Sequence, residues 1–199
     1  MKSGSGKLIL VILAIGLVVL FMVLPRVPKG KLEEAVAPVS DIEMEVAAAV
    51  QLVQNSASSA EAMQGIMKLR EIVERDSTIE TAQLWLGYFS LESGQRDKAR
   101  GRFETVRRLN PNNPEPYWQM GIMAVEDSSY AEAVEMLTAC VGLDSSYVNG
   151  LFFVARSYEE MGDTQNALNY YKEYLPYAPD TTVSMKVEEF ISVIESNNK

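Results

Sequence analysis

Between Glu80 and Asp180 the chain repeats itself at a fixed step of 34 residues, and self-similarity at such a period marks an array of stacked supersecondary units. Leu86-Gly87, Met120-Gly121 and Val154-Ala155 stand one step apart, as do Ala99, Ala133 and Ala167. Phe103, Leu137 and Tyr171 follow the same step, and Pro111, Ser145 and Pro179 close each period. Gly94 and Gly162 are in register, with Ser128 between them. A pair of packed helices explains each matched position. The small residues Gly87, Gly121 and Ala155 let a first helix press against its partner, and Ala99, Ala133 and Ala167 do the same from the second. Phe103, Leu137 and Tyr171 fill the space between pairs, and the closing proline or serine ends the second helix.

These landmarks resemble the tetratricopeptide repeat, whose W-x2-L-G-x2-Y…A-x3-F…P pattern they match at the small residues, the second-helix core position and the closing proline. The tryptophan position holds Gln83, Tyr117 and Leu151, and the tyrosine position holds Ser90, Ala124 and Tyr158. The resemblance covers three repeats, at 80–113, 114–147 and 148–181. It implies an all-α fold, a right-handed superhelical array of helix-turn-helix units. Carried back one step, the register sets Val53 opposite Gly87, Gly65 opposite Ala99 and Leu69 opposite Phe103, so 41–79 is expected to be a divergent first repeat. Terminal repeats are often atypical because one face has no neighbour. Over 182–199, Val183, Val187, Phe190, Ile191 and Ile194 share one face, which predicts a C-terminal capping helix and a short tail.

Helix starts are signposted. Ser40 with Glu43, Ser58 with Glu61, Ser77 with Glu80 and Ser129 with Glu132 read as capping boxes. Asn113-Pro114 reads as a cap followed by a first-turn proline, and Asp163 and Asp180 as two further caps.

Ahead of the repeats, after a tail at 1–7, Leu8 to Leu24 is an unbroken run of 17 uncharged, almost wholly apolar residues. At helical rise it covers roughly 26 Å, close to a bilayer core, with Lys7 and Arg26 placed to snorkel at its ends. The run exceeds a signal-peptide core and no small-x-small cleavage site follows directly, so an uncleaved transmembrane helix is expected at 8–24. A proline-bearing stalk follows at 25–40. Positive charge on the two flanks balances at three against three, counting the amino terminus. The short leading tail favours a cytoplasmic N-terminus under the positive-inside rule. The expectation is a single-pass protein of a bacterial inner membrane with its repeats outside the cytoplasm.

The residue inventory removes whole classes of chemistry. With no histidine and one cysteine, Cys140, most zinc sites, histidine-based acid/base catalysis and any intramolecular disulfide are excluded. Cys140 falls at a second-helix position and reads as a buried thiol. Five basic residues and no acidic one precede Glu33, which leaves the rest of a chain of net charge −9 strongly acidic. That charge repels phosphate backbones, so no nucleic acid is expected as partner. It serves solubility, or it favours basic partners. Glu33-Glu34, Glu159-Glu160 and Glu188-Glu189 are adjacent pairs, which diverge on a helix. No phosphate loop, metal-ligand spacing or nucleophile-base signature appears, so neither an enzyme nor a cofactor is expected.

Stacked helical pairs curve into a concave face lined by their first helices. By resemblance, positions 2, 5, 9, 12 and 13 of each repeat face that groove. Position 5 is Leu84, Trp118 and Phe152; position 9 is Tyr88, Ile122 and Arg156; position 12 is Leu91, Val125 and Glu159; position 13 is Glu92, Glu126 and Glu160. The expected groove has an apolar, aromatic floor beside a ladder of three carboxylates. Two readings stand side by side. Either these side chains pack against neighbouring first helices, or Trp118, Tyr88 and Phe152 anchor an apolar, basic partner segment. Some members of the family clamp a carboxylate tail with lysine and asparagine at positions 5 and 9. Here only Arg156 could contribute, so that clamp is not expected. The expected function is a membrane-tethered, non-catalytic docking module for a client or an assembly or secretion component. A self-associating scaffold is the alternative.

Overall fold

The computed structural model describes residues 40–197. The expected tail, membrane span and stalk, apart from Ser40, lie outside the described residues. Among the described residues no helix is long and apolar enough to cross a membrane, and no strand is present. These residues form four helical pairs and a final helix: α1 (Asp41–Gln54) with α2 (Ser59–Arg75), α3 (Glu80–Glu92) with α4 (Arg96–Leu109), α5 (Pro114–Glu126) with α6 (Tyr130–Leu143), and α7 (Asn149–Glu160) with α8 (Thr164–Tyr174). A 3-10 turn, Leu175–Tyr177, leads to α9 (Thr181–Asn197).

Within three of the pairs the chain reverses through the same turn. After α3 the amide of Gln95 donates to Ser90 O at 2.8 Å and that of Gly94 to Leu91 O at 2.9 Å. The bonds recur as Ser129 to Ala124 and Ser128 to Val125, and again as Asp163 to Tyr158 and Gly162 to Glu159. This two-bond C-cap requires a left-handed residue at its centre. Gly94 (φ 73°) and Gly162 (φ 77°) adopt that conformation freely, whereas Ser128 is forced into it at φ 58°.

Between pairs a different device recurs, also at the 34-residue step. The carboxylate of Asp76 accepts from the Thr78 amide at 2.8 Å, the Asn110 side chain from the Asn112 amide at 3.2 Å, and Asp144 from the Ser146 amide at 2.8 Å. One step further on stands Ala178, which has no such acceptor, and there the chain takes the 3-10 turn instead.

The expected caps divide. Ser40 and Glu43 form a full capping box. Asn113, Asp163 and Asp180 accept from Glu115, Asn166 and Val183 amides at 2.9, 3.1 and 2.9 Å. Ser58 accepts from the Glu61 amide, but Glu61 reaches back to Ala57 instead of Ser58. The boxes expected at Ser77/Glu80 and Ser129/Glu132 do not form. The turn at Asp76 delays α3 so that Ile79 occupies its cap position, and Ser129 is part of the left-handed reversal while Glu132 is drawn to Arg100.

Packing accounts for the small residues. A Cβ on Gly87 would lie 2.6 Å from the Phe103 ring, and one on Gly121 2.6 Å from Leu137 Cγ. The second-helix core residue therefore rests on the first-helix glycine of its own pair, in addition to any role between pairs. In the first pair the arrangement is inverted. Val53 occupies the usual glycine position and Gly65, on α2, makes room for it: a Cβ there would meet Val53 Cγ2 and the Ala49 carbonyl oxygen, both at 2.6 Å. The core runs through the array as a series of clusters, one around Val46, Leu69, Ile72 and Leu86, another around Phe103, Met120 and Met136, and a C-terminal one around Leu151, Tyr171, Tyr174, Val187 and Ile194. Val187 and Ile194 come from α9, which thereby closes the apolar end of the last pair. α6 lies along α7 more extensively than α2 along α3 or α4 along α5, helped by Gly150, whose missing side chain admits Val141.

Candidate functional site

The twelve expected groove residues are distributed over α3, α5 and α7, and the array's own packing uses many of them. Leu84, Tyr88 and Leu91 are half-buried against the cluster of Phe103, Met120 and Met123. Ile122 is buried and Val125 half-buried. Trp118, expected as the central anchor, is only 7% exposed. Its ring meets those of Tyr147 at 5.6 Å and Phe153 at 6.1 Å, so it joins α5 to the following pair. Phe152 is half-buried and contacts Phe153, Tyr171 and Tyr174. Of the three aromatic anchors, Tyr88 and Phe152 keep part of their surface open and Trp118 does not.

The carboxylate ladder is also reshaped by the chain's own cations. Glu92 is exposed, with no ion pair among the described residues. Glu126 is held by Arg96 at 2.6 Å, and Arg96 also reaches Asp127 at 2.9 Å and the Met123 carbonyl at 3.2 Å. Arg100 joins Asp127 and Glu132, so two arginines of α4 grip the C-terminal end of α5 and the turn beyond it, where negative charge from the helix dipole adds to the carboxylates. Glu159 and Glu160 both hold Arg156, at 2.8 and 2.9 Å, along α7 itself. Tyr171 donates to Glu159 at 2.6 Å, and Arg156 lies over the Phe190 ring of α9 at 5.5 Å. Two of the three rungs are therefore already compensated, because their arginines sit one helical turn or one neighbouring helix away.

A polar knot absent from the expected set lies at the heart of this face. Glu115, in the first turn of α5, accepts from the phenols of Tyr88 and Tyr147, and from Gln119 Nε2 at 2.9 Å. One carboxylate thus links α3, α5 and the turn before α7. Burial, followed by the charge of Glu115 and the hydrogen bond to it, raises the Tyr88 phenol far above the ordinary tyrosine value. For Tyr147 burial leads and the hydrogen bond to Glu115 follows. Both phenols stay protonated as donors. Glu115 occupies position 2 of its repeat, one of the groove positions implied by resemblance, so its place was signalled; its two tyrosine partners were not. Cys140 is buried nearby, and burial pushes its thiol well above the usual range, which keeps it an inert thiol.

One landmark that departs from the repeat pattern, Gln83, has a local cause. Gln83, at the tryptophan position, is buried with both ends of its amide used: Nε2 donates to Ser77 O at 2.9 Å and Oε1 accepts from Arg102 at 2.6 Å. A polar side chain is kept inside because the turn and α4 supply its partners.

Residues 81–113 and 148–181 each match a tetratricopeptide repeat sequence family. Solved structures of similar fold include "Crystal structure of MamA protein", 14% identical with a TM-score of 0.64, over 77% of this chain and 82% of that one. MamA AMB-1 is 18% identical with a TM-score of 0.64, over 78% and 81%. The N-terminal domain of stress-induced protein-1 (STI-1) from C. elegans is 19% identical with a TM-score of 0.51, over 58% and 94%. Likeness at these identities concerns the fold. No curated protein matches the chain.

Proposed function

We propose that this chain is a non-catalytic docking module that holds a polypeptide partner, a client or an assembly or secretion component, on the face formed by α3, α5 and α7. The observation that carries the reading is that α3, α5 and α7 succeed one another with Leu84, Tyr88, Leu91, Val125 and Phe152 left partly open, and exposed carboxylates beside them. The apolar run at 8–24 would tether the module to a membrane, with the repeats on the far side from the cytoplasm. Because Arg96 and Arg156 already compensate Glu126 and Glu160, attraction for a basic partner segment concentrates at Glu92 and the N-terminal half of the face.

Photo-crosslinking tests this directly. A benzophenone side chain placed at Glu92 in the full chain in native membranes is expected to trap a discrete partner, and one placed at Thr138, exposed on α6, is not. Equal trapping from both positions, or none from Glu92, would refute the reading. The self-association alternative draws on Met44, Met63 and Met67, three methionines of the first pair that are each more than half exposed. Sedimentation at rising concentration decides it: a docking module stays monomeric, and a scaffold of copies does not.

A further inference from the structure

Where α2, α3 and α4 meet, the looser packing between the first two pairs leaves a cleft of about 390 Å³. Its apolar wall includes Ile66, Leu86 and Phe89, and three cations stand on it: Arg70, Lys98 and Arg102. Arg75, Arg96, Arg100 and Arg156 each hold a carboxylate of this chain, whereas Arg70 and Arg102, like Arg107 and Arg108 further along, hold none among the described residues, and no carboxylate lines the cleft. Arg102 is half-buried and kept in place by its bond to Gln83 Oε1. Burial, and then the positive charge of Arg70, pull its guanidinium below the ordinary arginine value. Two guanidinium groups that repel each other in a partly apolar cleft are an arrangement that an anion between them would relieve.

The geometry points to a second binding site here, for an extended peptide segment of a partner protein that presents a single carboxylate next to an apolar side chain. The carboxylate sits between Arg70 and Arg102 with Lys98 at the rim, and the apolar side chain lies on Ile66, Leu86 and Phe89. A single charge is selected because the acidic chain as a whole repels polyanions. A peptide is selected because the cleft follows α3 from Gln83 to Ser93, on the order of 15 Å at helical rise, and is open along its side. That length suits about four or five extended residues. The site is separate from the proposed docking face. At about 100° per residue, Gln83, Leu86, Phe89, Ser90 and Ser93 lie on the side of α3 opposite to Leu84, Tyr88, Leu91 and Glu92.

The test uses the full chain and Leu-Glu-Phe-Leu-amide carrying a dye on its N-terminal amine, with its glutamine counterpart and inorganic phosphate as comparisons, read by fluorescence anisotropy. The glutamate peptide is expected to bind roughly tenfold more tightly than the glutamine peptide, the scale of one charge-assisted hydrogen bond. Arg70→Gln and Arg102→Gln should each remove that difference. Since Arg102 also serves Gln83, Arg70→Gln is the variant to rely on, and in the absence of peptide its Tm should equal or exceed that of the parent. Equal affinity for the two peptides, no binding of either, displacement by phosphate at lower concentration than the peptide itself, or a lower Tm of Arg70→Gln would each overturn the assignment.

Discussion

Replacing Gly65 by alanine sets two opposed effects against each other inside one helix. Gly65 is in the interior of α2, where alanine improves helix propensity by about 1 kcal/mol. The new methyl group, however, would lie 2.6 Å from the Ala49 carbonyl oxygen, 2.6 Å from Val53 Cγ2 and 3.0 Å from the Val53 amide nitrogen. Two of those three atoms belong to the backbone of α1 and cannot move by a rotamer change, so α1 and α2 must separate. Overpacking of this kind costs about 1–3 kcal/mol, and the backbone contacts place it at the upper end. The net expectation is a loss of about 1–2 kcal/mol, which lowers Tm by about 2–8 °C for a domain of this size. Gly101, in the middle of α4, supplies the control, since a Cβ built there meets nothing within 4 Å. Gly101→Ala should stabilise by about 1 kcal/mol, so the same chemical change has opposite signs at the two sites. Thermal and urea unfolding of both variants measure this. Shifts of the same sign in the two proteins would refute the close-approach argument.

Three more outcomes are expected. Ser128→Gly removes the left-handed strain at the middle reversal and should stabilise by about 1 kcal/mol, read from the urea midpoint. Trp118→Ala empties a buried site shared by α5 and the following pair and should cost about 3–5 kcal/mol in the same assay, so loss of partner capture in that variant would report unfolding and not a missing anchor. Because Tyr88 and Tyr147 have folded values raised above the unfolded value of about 10, their contribution is complete below pH 10 and declines as pH rises beyond it. Tyr88→Phe should reduce the slope of stability against pH in that alkaline window by about 1.4 kcal/mol per unit, and an unchanged slope in alkaline urea titrations would show that the phenol is free to ionise in the fold.

The legible part of the molecule was the part governed by local rules. The 34-residue step carried the helical pairs, and Gly87, Gly121 and Ala99 lie where close packing was expected. Ser40 and Asn113 cap as their neighbours suggested, because an N-cap depends on a few adjacent residues. Ser77 and Ser129 make no side-chain cap, for reasons the same local rule misses: the turn at Asp76 shifts the start of α3 to Ile79, and Ser129 belongs to the left-handed reversal at Ser128. The first of these devices, the acceptor at Asp76, Asn110 and Asp144, repeats with the same step and was present in the sequence all along. The candidate face was legible as a set of positions and illegible as a surface. Periodicity identifies which side of α3, α5 and α7 a residue occupies, but whether a neighbouring pair covers it depends on the spacing between pairs.

Sequence alone determined that residues from Glu80 onward stack as helical pairs, since small residues at one fixed interval demand close helix approach wherever the chain puts them. It also determined what chemistry is missing, because a chain without histidine cannot use one. Tertiary structure decided that Trp118 is packed away, that Arg96 reaches from α4 to compensate Glu126, and that Glu115 knots three elements together. It decided as well that Arg70 and Arg102 line one cleft whose walls hold no carboxylate. Each of these depends on residues about 30 positions apart meeting in space, and the distance between stacked pairs, on which such meetings depend, is set by the summed packing of many side chains and by no single motif.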